Sequence, residues 1–205
     1  MGGPGPFQDK PALRVEGLSL ARGGRVLFTD VSFAAPPGGY VEVRGANGAG
    51  KTSLLRALAG FLRPRAGSID FANISEPTLA LHYVGHVNAL KPTASVRAHL
   101  HYWAGLFGRS LDEASVLARV DLQGMSERAA RTLSQGQARR LALSRLLIAP
   151  RPIWLLDEPA AALDKSGRNL VRDLIEAHRS AGGIAVAAVH DALGPAPSQT
   201  ITLGP

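Results

Sequence analysis

The sequence predicts an α/β fold: a parallel sheet covered by helices on both faces, preceded by an antiparallel β region and interrupted by a helical lobe. Three observations carry this. The nearly uninterrupted apolar runs at 153–156 and 184–189 are of strand length and alternate with helical patterns at 137–148 and 165–179, as parallel strands buried on both faces do. Near period-two spacing at Leu13, Val15, Leu18 and Leu20, resumed at Val31 and Phe33 and again at Val41 and Val43, reads as antiparallel strands around a turn at Pro36, Pro37, Gly38 and Gly39. Between these regions residues 75–131 change texture, becoming helical and rich in Ala, Leu, His and Arg.

Taken in order, residues 1–11 are Gly/Pro-rich and read as a flexible lead-in, so one folded domain is expected over 12–205. The strand 40–44 leads through a glycine-rich loop into a helix over 51–60 closed by Gly60, and a turn over 62–68 precedes a short strand at 68–71. The inserted helical lobe is expected over 78–133, with a short strand at 81–85 near its start. Leu100, Tyr102, Trp103, Leu106 and Phe107 are spaced as one helix face, for packing on the main lobe. There is no internal repeat.

Composition narrows the chemistry. The 205 residues are 45% apolar and 19% charged, which suits a folded chain with a sizeable core. The absence of cysteine excludes disulfides, thiol catalysis and sulfur-ligated zinc or iron–sulfur centres. The formal charge of +7 points to an anionic partner, whether nucleic acid, membrane face or small ligand. The start shows no secretory signal pattern and no apolar run is long enough to span a bilayer, so an internal, soluble or peripheral protein is expected.

The sharpest motif is Gly45-Ala46-Asn47-Gly48-Ala49-Gly50-Lys51-Thr52, a GxxxxGK[ST] phosphate-binding loop lying between a strand and a helix that continues with Ser53. Its glycines let backbone N–H groups approach phosphate, the helix start adds positive potential, Lys51 reaches the β- and γ-phosphates, and Thr52 sits on Mg2+. A second metal-facing group is expected at a strand end. The run 153–158 supplies Asp157 for that role and, one residue on, Glu158 as general base toward the attacking water. Leu133-Ser134-Gln135-Gly136-Gln137 opens an arginine-bearing helix, where Ser134 can cap the helix or help bind an anion.

Together these motifs, with Asp164 in the segment 161–164 and His190 after the last apolar strand, resemble the ATP-binding cassette ATPases in order and over nearly the whole chain. The resemblance implies a P-loop NTPase fold of that type, with an N-terminal antiparallel β subdomain and an inserted helical subdomain. It also implies ATP and Mg2+ as ligands, and a homodimer formed on ATP binding. In that dimer Ser134, Gly136 and Gln137 of one copy would meet the nucleotide held by the other, Asp164 would communicate across the pair, and His190 would contact the γ-phosphate.

Two positions depart from the family pattern. Where a glutamine usually follows the strand 81–85, this sequence has His86, assigned here to the nucleotide and metal site. Where an aromatic usually stacks on adenine, it has Arg22, a flat cation able to stack, with Phe28 further on. The segment Tyr83–Lys91 and the stretch 98–108 resemble the ATP-binding subunits of haem exporters in cytochrome c maturation. That implies a peripheral subunit on the cytoplasmic side of a bacterial inner membrane, assembled with integral-membrane subunits of the cytochrome c maturation system, with no nucleic acid partner. The ATPase of another small transporter is the alternative, and a cassette protein acting on DNA or ribosomes a weaker one. His82, His86 and His101 are not assigned to haem.

Overall fold

The computed structural model describes residues 7, 10–11 and 12–204; most of the lead-in read over 1–11 lies outside these residues. Within it, Phe7 packs edge-on against His178, ring centroids 5.4 Å apart.

β1 (Ala12–Arg22) and β2 (Arg25–Ala35) form a long hairpin turning at Gly23 and Gly24, and β4 (Ala66–Ala72) pairs with the other edge of β1, giving the antiparallel sheet β2-β1-β4. The second sheet is wholly parallel, in the order β5 (Leu81–Val84), β6 (Ile153–Asp157), β7 (Ile184–Ala188), β3 (Tyr40–Arg44), β8 (Gln199–Thr202). Every residue of β6 and β7 is buried, as their unbroken apolar runs require.

Helix α1 (Lys51–Leu58) lies between the sheets. Its Leu54, Leu55 and Leu58 join Leu13, Leu18 and Phe33 on one side and Val41, Ile153 and Val186 on the other in one core cluster. Two further helices cover the opposite face of the parallel sheet, α4 (Gln135–Ile148) and α5 (Lys165–Ser180). On α5 the apolar side chains fall three or four residues apart, so Val171, Leu174 and Ile175 share one buried face, each contributing roughly 1.5–3 kcal/mol.

Helices α2 (Val96–Leu106) and α3 (Glu113–Arg119) complete the helical region and pack Leu100, Trp103, Leu117 and Val120 against Leu141 and Ile148 of α4. Helix α4 is therefore buried on two sides, between the parallel sheet and the helical region. Within the span 78–133, β5 is hydrogen-bonded to β6 and the helical material begins only after that strand. The face read over 100–107 also divides, since Leu100 and Trp103 are buried whereas Tyr102 and Leu106 are 65% and 62% exposed.

Candidate functional site

Strand β3 delivers the glycine loop at the C-terminal edge of the parallel sheet, where ligands of such sheets bind. Gly50, with φ +100°, is the residue before α1, and a Cβ there would stand 3.0 Å from the Phe28 ring and 3.2 Å from Leu27. Gly48, with φ +82°, faces open space. The loop is thus packed from behind and open in front. Helix α1 has no side-chain cap, which leaves its first N–H groups available to an anion. Lys51 is buried and its Nζ donates to the carbonyls of Gly45 at 2.8 Å and Ala46 at 3.2 Å, across the mouth of the loop.

Strand β6 ends beside it. Thr52 Oγ1 donates to Asp157 Oδ2 at 2.9 Å, joining the loop to the strand end, and Asp157 is only 2% exposed. Two hard oxygen donors side by side fit Mg2+, which takes few protein ligands and completes its shell with water and phosphate. Among the described residues no three His, Asp or Glu side chains gather as a closed metal cage. His86 Nδ1 lies 3.5 Å from Glu158 Oε2.

Glu158 follows Asp157 at the turn out of β6, with φ +49° and its N–H donated to the Ala188 carbonyl at 3.0 Å. Its other carboxylate oxygen lies 2.9 Å from His190 Nε2. Two imidazoles, from the ends of β5 and β7, therefore flank one carboxylate on β6. A pocket of about 470 Å³ collects Arg22, Leu27, Asn47, Gly48, Gly50, Lys51, Thr52, Ser53, His86 and Glu158. Leu27 was not expected there from sequence. Phe28, one residue on, is 2% exposed and backs the loop, so it presents no face to a base.

The signature residues gather elsewhere. Ser134 caps α4, its Oγ accepting from Gln137 N at 3.1 Å, while the Gln137 side chain accepts from Ser134 N at 2.9 Å. The Ser134 hydroxyl proton stays free to be donated. Asp164 caps α5 through Gly167 N at 2.8 Å and meets Arg140 NH2 at 3.0 Å; the Gly167 amide first, then the Arg140 guanidinium, hold its carboxyl below the usual range. Ser134, Gly136, Gln137, Arg140 and Asp164 line a second pocket, of about 590 Å³, which shares no residue with the first.

The arginines of α4 turn inward. Arg139 and Arg140 are buried, and Arg145 lies over the Trp103 ring at 4.7 Å and donates to the Asn88 carbonyl at 3.0 Å. They are used in packing and hydrogen bonds within the fold. Trp103 also borders a groove of about 480 Å³ with Tyr102, His99, Ala98 and Lys91. The remaining histidines have protein partners: His82 and the Ala149 carbonyl, His99 and the Ser95 carbonyl, His101 and Glu113, His178 and the Ile184 carbonyl.

Known proteins place this arrangement. The ABC transporter family model matches residues 28–161. The cytochrome c biogenesis ATP-binding export protein CcmA of Hyphomonas neptunium is 43% identical, covering 94% of this chain and 97% of its own. Its namesake in Rhodopseudomonas palustris is 47% identical over 87% and 91%. Among solved structures, an ABC transporter ATP-binding protein from Pyrococcus furiosus superposes with a TM-score of 0.82 at 22% identity, over 94% of this chain and 97% of that one, a likeness of fold. The phosphate loop, the strand-end carboxylates and the capped signature turn thus sit on a known frame, and the chain belongs to the ABC transporter family, among the cytochrome c biogenesis ATP-binding export proteins.

Proposed function

We propose that the chain hydrolyses ATP as a pair of copies stacked head to tail, and that integral-membrane subunits of cytochrome c maturation convert the closure and opening of the pair into haem export or release of a haem-loaded chaperone. The observation that carries the hydrolytic part is the Glu158 carboxylate at the phosphate-loop pocket, held between His86 and His190.

In this reading Lys51 leaves the carbonyls of Gly45 and Ala46 for the β- and γ-phosphates, which the loop N–H groups hold in place. Thr52 and Asp157 hold Mg2+, which when bound neutralises phosphate charge. Glu158 takes a proton from the water that attacks the γ-phosphorus; the new P–O bond forms as the bond to the bridging oxygen breaks, and ADP leaves with that electron pair. His190 orients Glu158 and reaches the γ-phosphate, His86 orients the carboxylate from its other oxygen, and Arg22 and Leu27 cover the base.

The second pocket is the complementary half. It offers a helix start, a free hydroxyl proton and close backbone at Gly136, and Ser134, Gly136 and Gln137 act on the nucleotide of the partner copy, with Asp164 beside them. ATP favours the closed pair because it touches both halves only there. The groove beside Tyr102 and Trp103 receives a short helix of the membrane partner, which places the chain peripherally on the cytoplasmic side of a bacterial inner membrane. Among the described residues no helix is long and apolar enough to cross a membrane.

Affinity isolation from cells carrying Glu158→Gln, which traps the ATP-bound pair, tests the assignment. Co-purification of integral-membrane cytochrome c maturation subunits is expected. An unrelated permease, or ribosomes or DNA alone, would overturn the partner assignment and leave the ATP chemistry standing.

A further inference from the structure

The ladder between β5 and β6 ends with Val84 opposite Leu156, before either His86 or Glu158 is reached. Past that point the backbone pairing of these strands no longer sets how the two residues meet.

One side chain bridges the gap. Arg139, on the second turn of α4, is 2% exposed, and its guanidinium has five N–H donors in a fixed fork. All five are used. Nε donates to the Pro159 carbonyl at 3.1 Å, one terminal nitrogen to the Gly85 carbonyl at 2.7 Å and Asn88 Oδ1 at 3.1 Å, and the other to the carbonyls of Asp157 and Glu158, both at 2.8 Å. The acceptors thus bracket Glu158 on its own strand end and His86 on its own loop. Burial pulls the Arg139 pKa down, and the charges of Asp157 and Glu158 oppose this. No carboxylate among the described residues forms an ion pair with it, so its hydrogen bonds go to four backbone carbonyls and the Asn88 side chain.

The peptide being fixed is an unusual one. Glu158 holds a left-handed φ of +49°, with its N–H on Ala188 and its carbonyl on Arg139. That pinning aims its side chain between the two imidazoles.

We propose that Arg139 is the positioning residue of the hydrolytic step: it sets the direction of the Glu158 carboxylate and the placement of His86 beside it, and ties both to α4, whose first turn carries Ser134 and Gly136. The idea rests on the two-copy reading above. Since Ser134 and Arg139 lie on one helix, seating the signature turn against the partner's nucleotide reaches this protomer's own Glu158 through one rigid element.

The test uses the full chain. Arg139→Lys keeps the charge but gathers three donors on one nitrogen, which cannot span the five acceptors. It should lower kcat by about 10- to 100-fold, as misplacement of a catalytic group does, while ATP affinity by equilibrium dialysis stays within about twofold. In the Glu158→Gln background Arg139→Lys should add no further loss, because both changes disable one group; a merely structural defect would multiply. Asn88→Ala, which deletes a single acceptor, should lower kcat about threefold with an unchanged urea midpoint, and gives the answer if Arg139→Lys folds poorly. Unchanged kcat in both variants, loss in step with ATP affinity or stability, or multiplying losses with Glu158→Gln would overturn the proposal. An original chain that hydrolyses no ATP would overturn the two-copy reading and this proposal together; an active one with unaffected variants would overturn this proposal alone.

Discussion

The two pockets are built from opposite materials. The phosphate-loop pocket is made at strand ends: Asp157 is paired with Ala188 of β7, and β3, β6 and β7 fix one another through backbone bonds such as Glu158 to Ala188 and Val189 to Val43. The signature pocket is made of helix starts, where Ser134 and Asp164 are exposed caps whose capped amides are three residues away, Asp164 also meeting Arg140 of α4. The first is a rigid cradle that can hold charge without help. The second offers donors outward and holds nothing by itself, as one half of a shared site would.

This contrast can be broken at either pocket. The largest effect is expected at the rigid one: Glu158→Gln should lower hydrolysis by about 10²- to 10⁴-fold, the range of a lost general base, with ATP binding retained in equilibrium dialysis. At the signature pocket, Ser134→Asp keeps a capping oxygen but replaces the outward hydroxyl proton with negative charge. Hydrolysis should fall about 10²- to 10³-fold, as on loss of a transition-state donor, while thermal stability hardly changes. Loss of ATP binding by single copies in that variant would show that the two pockets are not separate half-sites.

Two smaller effects concern the sheet beneath. A Cβ on Gly183 would stand 2.2 Å from His178 Cε1, so Gly183→Ala should destabilise by about 1–3 kcal/mol in urea unfolding without altering ATP affinity per folded chain. Burial lowers the pKa of both His82 and His178 to about 4. The unfolded chain therefore binds these protons more readily, and the stabilisation present above about pH 6.5 should be lost as pH falls toward 4, by up to about 3 kcal/mol for each histidine. His82→Leu should flatten part of that slope; an unchanged slope would place the acid sensitivity elsewhere. The smallest effect is at the base: Arg22→Ala should raise the KM for ATP by about threefold at equal kcat, since an exposed side chain there contributes little.

The legible parts of the sequence were those with a strong local signal. Consecutive apolar residues marked β6 and β7, and the glycine loop and the carboxylates after β6 marked the cradle, because each motif's residues lie next to one another in the chain. β8 carries no such signal: Gln199–Thr202 is short, mostly exposed and polar, and pairs only with β3. The arginines of α4 were visible as a basic run, but their acceptors lie in the segment 85–88, the turn after β6 and the loop before α5, so nothing local told a buried clamp from a surface charge. Leu27 and Phe28 could not be told apart either, since adjacent strand residues face opposite ways and only the packing behind Gly50 shows which one backs the loop.

The stacking of Arg145 on Trp103 has an optical consequence. The chain has two tryptophans, and the other, Trp154, lies face to face with His178 at 3.9 Å in the core under the parallel sheet. One indole thus borders the groove beside α2 under a guanidinium, and the other rests on a titratable ring. Trp103 emission should respond when a helix enters the groove, and Trp154 emission should be quenched as His178 takes up its proton. Each replaced by phenylalanine in turn, they would give separate intrinsic fluorescence readings of partner docking and of the sheet that carries Asp157 and Glu158.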